Sequence, residues 1–280
     1  MNINKELLRT LLKELCEING ASGREENVRE YILDKIRDKC SCTILSSGCI
    51  VAEYKGRKTP EKKLMISAHM DEVGLIITGI NSDGTLAFNC VGGVEADAVI
   101  GRQVMTENGI YGSVGSKAVH NMTEDERKTP PKFDVLYIDI GAKDKAEAEK
   151  FIRPGDYAYY TCGYVLSQDG YVRSKAIDDR AGCAAIIGAA ELVSETKDRP
   201  GVKLLFSGQE ETGGDGAITG SFNLDADECI AVDVSFADAP DMPSEKCGKL
   251  NKGPMIGIAP VLDYRISQKL KAVAEEKKIP

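Results

Sequence analysis

The 280-residue chain has no tryptophan, and aromatic residues make up only 6% of it. Sugar-processing clefts rely on flat aromatic platforms, so this composition disfavours glycoside hydrolysis by paired carboxylates. No apolar run reaches the ~18–20 residues that a membrane-spanning helix needs. The N-terminal stretch MNINKELLRTLLKELCEING breaks its apolar residues with charges and has no small-residue cleavage site. That is an amphipathic helix pattern rather than a secretory signal. Positive charge is also in deficit. A net charge of −8 argues against partners such as nucleic acid or an anionic membrane, which select clustered Lys and Arg. Histidine occurs twice. Cysteine is not scarce, but its nine residues are odd in number and scattered through apolar segments such as GCAAIIGAA and DECIAVDV. Such usage predicts reduced thiols in a cytoplasmic protein. Cys40 and Cys42 lack a second pair at zinc-ribbon spacing and are read as structural.

With 42% hydrophobic and 29% charged residues, the chain can bury a sizeable core in one large or two moderate domains. Helical patterns cover residues 4–18 and the segment after SGRE, where Ser22 and Glu25 have the spacing of a capping box. CTILSSGCIVAEYKG reads as two strands around a Ser-Gly turn, and KKLMISAH as a buried strand. From about 74 to 172 the pattern becomes short strands with Gly turns, including hairpins at Asn-Ser-Asp-Gly (81–84) and Asn108-Gly109. This block predicts a small barrel or sandwich, with TEDERKTPPK (123–132) as a loop. After residue 176 helices and strands alternate. DDRAGCAAIIGAAELVSE and ISQKLKAVAEEKK read as helices, VKLLFSGQEE and DECIAVDVS as buried strands. Such alternation predicts an α/β domain with a largely parallel sheet and its chemistry at the carboxyl ends of strands.

Four clusters lie where strands end or helices begin: His69 with Asp71 in SAHMDEVG, Asp178 with Asp179, Glu210 with Glu211, and Asp233. Singly, each has a plain structural role. Asp178 or Asp179 could cap a helix, and His69 could be a satisfied core imidazole. Together, on one rim of an α/β domain, the carboxylates repel one another unless a cation sits among them. One imidazole and several carboxylates suit Zn²⁺, Co²⁺ or Mn²⁺ better than Ca²⁺. In His-x-Asp the carboxylate can fix the ligating nitrogen. Asp178 can bridge two ions, and one of the paired glutamates can take a proton from water while the other binds metal. These residues point to a metal-dependent hydrolase.

The motifs SAHMDEVG, KAIDDRAG, SGQEETGGDGA and AVDVS, in that order, resemble those of the tetrahedral aminopeptidases. That family comprises cytosolic di-metal exopeptidases and includes glutamyl aminopeptidases and proteins once labelled endoglucanases. GSVGSKAVHNMTEDERKTPPKFDVLYIDIGA and IRPGD fit the same pattern, so the resemblance runs over essentially the whole chain. It implies a zinc-exopeptidase-like α/β/α catalytic domain from residues 1–73 and 173–280, with an inserted small β-barrel dimerisation domain at 74–172. It implies two divalent ions, zinc or cobalt with manganese as a further option. His69, Asp178 and Asp233 would hold one ion. Asp178 would bridge to a second, also bound by Glu211, and Asp71 would orient His69. Short peptides would lose their N-terminal residue through a metal-activated water, with Glu210 as general base. Subunits would self-associate to dimers and a dodecamer in the cytoplasm.

Departures from the family pattern set further expectations. The family continues past AEEKKIP with another strand, an acidic Gly-rich stretch and a late His that completes the second metal site, so an incomplete second site is expected here. A C-terminally incomplete chain accounts for this, as does a catalytically impaired relative that acts in assembly or peptide binding. His120, inside the β block, is read as structural or interfacial. Asp215 and the acidic stretch FADAPDMPSEK predict a substrate wall that favours basic N-terminal residues.

Overall fold

The computed structural model describes residues 4–57, 61–194, 201–238, 240, 242–243 and 247–280. They form two compact units, 1–233 and 234–280. In chain order the first unit begins with helices α1 (Lys5–Glu17) and α2 (Glu26–Ile36) and strands β1 (Ser41–Ile44), β2 (Ile50–Tyr54) and β3 (Leu64–His69). The next stretch holds β4 (Gly74–Ile80), β5 (Leu86–Val91), α3 (Ala96–Val99), β6 (Gln103–Thr106), β7 (Tyr111–Gly115) and α4 (Glu124–Lys128). It continues with β8 (Tyr137–Asp139), α5 (Lys145–Ala148), β9 (Tyr157–Tyr160), β10 (Val165–Leu166) and β11 (Val172–Arg173). The unit ends with α6 (Ile177–Ser194), β12 (Val202–Ser207), α7 (Asp215–Leu224) and β13 (Glu228–Ala231).

The result is a mixed α/β fold built on two sheets. One has the order β1-β2-β12-β3-β13, and the other closes into a six-stranded barrel, β4-β5-β8-β7-β6-β9. Alternation along β12 shows how the first sheet is covered. Leu204 and Phe206 pack with Leu11, Leu15, Ile32, Cys183 and Ile187 of α1, α2 and α6. Leu205, pointing the other way, packs with Leu224 of α7. A small residue lets α6 approach α1: a Cβ on Gly188 would lie 2.6 Å from Leu8 Cδ2. Leu75, Ile77, Leu86, Val104, Val114, Ile138 and Ala158 fill the barrel. Closure leaves no unpaired strand edge there.

Four expectations need correction. The first sheet is mixed rather than largely parallel: β12, β3 and β13 run parallel, but β2 pairs antiparallel with both β12 and β1. The short β1–β2 turn accounts for the β1–β2 reversal, because so tight a connection can only reverse the chain. Strand β13 is not buried. It lies at the sheet edge, and its residues alternate between half-buried and exposed. Ser22 does not cap α2; the N-cap position is Glu25, without a side-chain capping bond. Tertiary partners described below take both side chains. Finally, 123–132 is not all loop. Thr123 and Glu126 form a reciprocal capping box that starts α4.

In the second unit, Asp263 caps helix α8 (Tyr264–Lys277) by accepting from the Arg265 and Ile266 N–H groups. Ser267 donates its hydroxyl to the Gly257 carbonyl. Among the described residues no helix is long and apolar enough to cross a membrane. All nine cysteines are free thiols.

Candidate active site

Because β12, β3 and β13 are parallel, their carboxyl ends lie along one edge. His69 is the last residue of β3, Glu210 and Glu211 follow β12, and Asp233 follows β13. The start of α6 completes the rim. Asp178 and Asp179 have non-helical backbone angles, and Asp179 Oδ1 accepts the Gly182 N–H at 2.9 Å, so Asp179 is the capping aspartate. Its Oδ2 accepts the His69 N–H at 3.3 Å. Asp178 is left to face the imidazole.

His69 is buried, and its Nε2 lies 3.0 Å from Asp178 Oδ1 and 3.9 Å from both Glu210 Oε2 and Asp233 Oδ1. The other ring nitrogen, Nδ1, lies 3.2 Å from the Asp71 carbonyl and 3.4 Å from its Oδ1. Asp71 is fully buried, and its carboxylate accepts the Ser22 hydroxyl and the N–H groups of Glu210 and Glu211. Glu211 lines a cleft of about 420 Å³ with Glu72, Val73, Gly93, Ser174, Ala176, Ile177 and Asp178.

Burial opposes charge on His69, yet hydrogen bonds to Asp178 and Asp71 push its pKa up to about 11. Burial raises Glu211 to about 7, with the charge of Asp178 adding to the effect. Asp179 also rises to about 7, chiefly through burial and against the pull of His69, with Asp233 adding repulsion. Asp71 goes the other way. Burial works against its charge, but hydrogen bonds from His69, Ser22 and the Glu210 N–H outweigh this and lower its pKa. The rim therefore carries more negative charge than its own hydrogen bonds relieve. His69, Asp178 and Asp233 each offer one ligand atom, all within 4.8 Å of one another. One imidazole nitrogen with carboxylate oxygens is a donor set that fits a borderline divalent cation.

Of the residues singled out from sequence, the fold brings His69, Asp178, Asp233 and Glu210 together, with Asp71 beneath them and Glu211 on the cleft wall. His120 is exposed on the barrel, in the turn Val119–Asn121. Asp215 is the first residue of α7, where a negative charge suits the helix N-terminus. The FADAPDMPSEK stretch lies partly outside the described residues. Sequence reasoning missed the buried partners of the site: Ser22, Glu25, and the cluster of Glu72 with Lys175 and Arg180. Lys175 and Arg180 flank the Asp178-Asp179 pair in SKAIDDRAG, but nothing local marks them as buried.

Such a mixed α/β fold carries a His-carboxylate rim at the ends of parallel strands, and comparison with known proteins specifies its class. Residues 48–280 match the M42 glutamyl aminopeptidase family, and the chain belongs to that family. Its members are aminopeptidases, hydrolases acting on peptide bonds. A protein of Acetivibrio thermocellus with a provisional aminopeptidase name is 37% identical over 252 residues, covering 89% of this chain and 72% of that protein. Lysyl aminopeptidase of Pyrococcus furiosus is 30% identical over 277 residues, covering 96% of this chain and 79% of that enzyme. Among solved structures, the Pyrococcus horikoshii TET1 peptidase superposes with a TM-score of 0.82 at 32% identity, covering 97% of this chain and 82% of that one. That peptidase is described as assembling into a tetrahedron or a large octahedral shell.

Proposed function

We propose that this chain is a metal-dependent aminopeptidase that removes N-terminal residues from short peptides. The observation that carries the reading is the convergence of His69, Asp178 and Asp233 within 4.8 Å, with the Glu210 carboxylate 3.9 Å from His69 Nε2. His69, Asp178 and Asp233 would hold one divalent ion, zinc, cobalt or manganese, while Asp178 and Glu211 would serve a second. Divalent ions there supply Lewis acidity, polarising the scissile carbonyl and strengthening water as a nucleophile. Glu210, half exposed beside His69, takes a proton from the attacking water and returns it to the leaving amine as the C–N bond breaks. Asp71 orients His69 and carries the backbone of the acid pair. Residues 74–172 act as an inserted barrel domain for subunit pairing within a catalytic domain of 1–73 and 173–280. Assembly of the TET1 relative supports self-association, with a dodecamer as the end point. Nine free cysteines suit a cytoplasmic setting. An acidic wall contributed by Asp215 and the FADAPDMPSEK stretch would favour basic N-terminal residues.

The test is turnover of amino-acid anilides and bound metal per chain, with Zn²⁺ or Co²⁺ added. Glu210→Gln should lose roughly 10²–10⁴-fold in kcat with metal content unchanged. Lys-anilide should be cleaved faster than Glu-anilide. Turnover that survives both metal removal and Glu210→Gln would sink the reading.

A further inference from the structure

Residues 20–25 lie before the family match at 48–280, yet they grip the loop of the acid pair at two points. Ser22 is 4% exposed and donates its hydroxyl to Asp71 Oδ2 at 2.5 Å. The same carboxylate accepts the Glu210 N–H on Oδ1 and the Glu211 N–H on Oδ2, each at 3.1 Å. Three residues after Ser22, Glu25 is also 4% exposed, and its Oε1 accepts the Gly23 N–H at 2.9 Å and the Gln209 N–H at 3.2 Å. Gln209 has φ +59°, a left-handed conformation that a residue with a side chain keeps only when its surroundings hold it. Glycine at 208 is what admits Glu25 to this position, because a Cβ there would lie 2.7 Å from Oε1.

The gripping segment is itself tied down. The Gly20 N–H donates to Glu72 Oε1, the Glu72 N–H donates to the Gly20 carbonyl, and Tyr157 Oη donates to the Ser22 carbonyl. Side chains that a local sequence reading assigns to a helix cap are thus spent, buried, elsewhere: Glu25 on the Gln209 N–H, and Ser22 on the Asp71 carboxylate that accepts the Glu210 and Glu211 N–H groups.

We propose that Ser22 and Glu25 are positioning residues that set the orientation of the Glu210–Glu211 pair against His69. Its catalytic consequence rests on the proton-transfer role of Glu210 given above. Without the Ser22 hydroxyl, the buried Asp71 carboxylate loses the side-chain donor that holds its Oδ2 and can turn further toward His69 Nδ1, loosening the Glu211 N–H. Without Glu25, the Gln209 N–H is left unpaired and its left-handed conformation unsupported.

Full-length Ser22→Ala and Glu25→Ala variants, with Ser22→Thr and Glu25→Gln as conservative partners, test this. The readouts are amide hydrogen exchange of residues 209–211, Co²⁺ bound per chain, and kcat and KM on an anilide. The alanine variants should speed loop exchange and lower kcat roughly 10–100-fold, with KM little changed. Thr and Gln, which keep the donor and the acceptor oxygen, should restore both. Folded alanine variants with unchanged loop exchange and kcat overturn the proposal, as do conservative variants as damaged as the alanines. If the alanine variants fail to fold, Ser22→Cys keeps the volume and weakens the donor. Unchanged exchange and kcat in that variant likewise overturn it. An active Glu210→Gln alongside a loosened loop in Ser22→Ala sinks the role of Glu210 and upholds the positioning. An inactive Glu210→Gln alongside an undisturbed loop sinks only the positioning.

Discussion

Lys175 and Glu72, which lines the cleft, form an ion pair at 2.6 Å with side chains 9% and 4% exposed, beside Arg180. Burial lowers the Lys175 pKa against the pull of Glu72, so the pair persists because each charge answers the other. Lys175 also donates to the Ile18 carbonyl, and Arg180 donates to the carbonyls of Leu15, Ile18, Gly20 and Met70. Together these cations staple the end of α1 to the residues on either side of His69 and Asp178. Removing one partner leaves a buried charge uncompensated, at a cost of about 3–5 kcal/mol. Urea denaturation of Lys175→Met should show a loss of that order, and the added change Glu72→Gln should recover part of it. A loss well below about 1 kcal/mol would show that water or Arg180 compensates Glu72. His69 and Asp71 of SAHMDEVG and Asp178 and Asp179 of SKAIDDRAG were visible as chemistry from the sequence, whereas Glu72, Lys175 and Arg180 in the same motifs were not. Which of these charges face the cleft and which lie sealed beneath it was not visible either, because burial depends on α1 packing over them.

At the level of elements, most helices and strands follow from local pattern: periodic apolar residues in α1 and α6, turn residues in the β4–β5 and β6–β7 hairpins. The misread segments are those where a local motif competes with a distant partner. Ser22 and Glu25 have capping-box spacing but bond to Asp71 and Gln209, whereas Thr123 and Glu126 have the same spacing and do cap. The difference is exposure, since the second pair has no buried competitor. Helix α4 carries a pH signature as a result. The Lys117 ammonium, with the Thr123 N–H and hydroxyl, pulls the exposed Glu126 carboxyl down from its ordinary 4.5 to about 2. A depressed carboxyl stabilises the cap fully above about 4.5, and this stabilisation is lost as pH falls through about 2. An NMR titration should place the Glu126 midpoint well below the ordinary carboxylate range, and Lys117→Ala should move it up. A midpoint at the ordinary value in the unmodified protein would remove the cap from this account.

For the molecule as a whole, the closed barrel removes strand edges as docking elements, so any subunit pairing through it must use side-chain faces. Tyr111, Val119, Val135 and Phe151 stand exposed on that part of the chain. Sedimentation velocity at micromolar concentration should find species larger than a monomer, and Tyr111→Asp with Phe151→Asp should weaken the association. A protein that sediments as a monomer at every concentration would remove self-association from the proposed function. The sequence by itself determined the order of the motifs, the β-rich middle and the identity of the rim residues, because periodicity, turn chemistry and residue type are local properties. Only the tertiary structure decided that Asp179 caps α6 while Asp178 meets His69, that β13 is an exposed edge, and that residues 20–25 hold the acid-pair loop. Each of those depends on which donor meets which acceptor between distant parts of the chain, 49 residues apart for Ser22 and Asp71, 109 for His69 and Asp178 and 184 for Glu25 and Gln209, or on which strands pair. Such competition is settled by packing rather than by spacing.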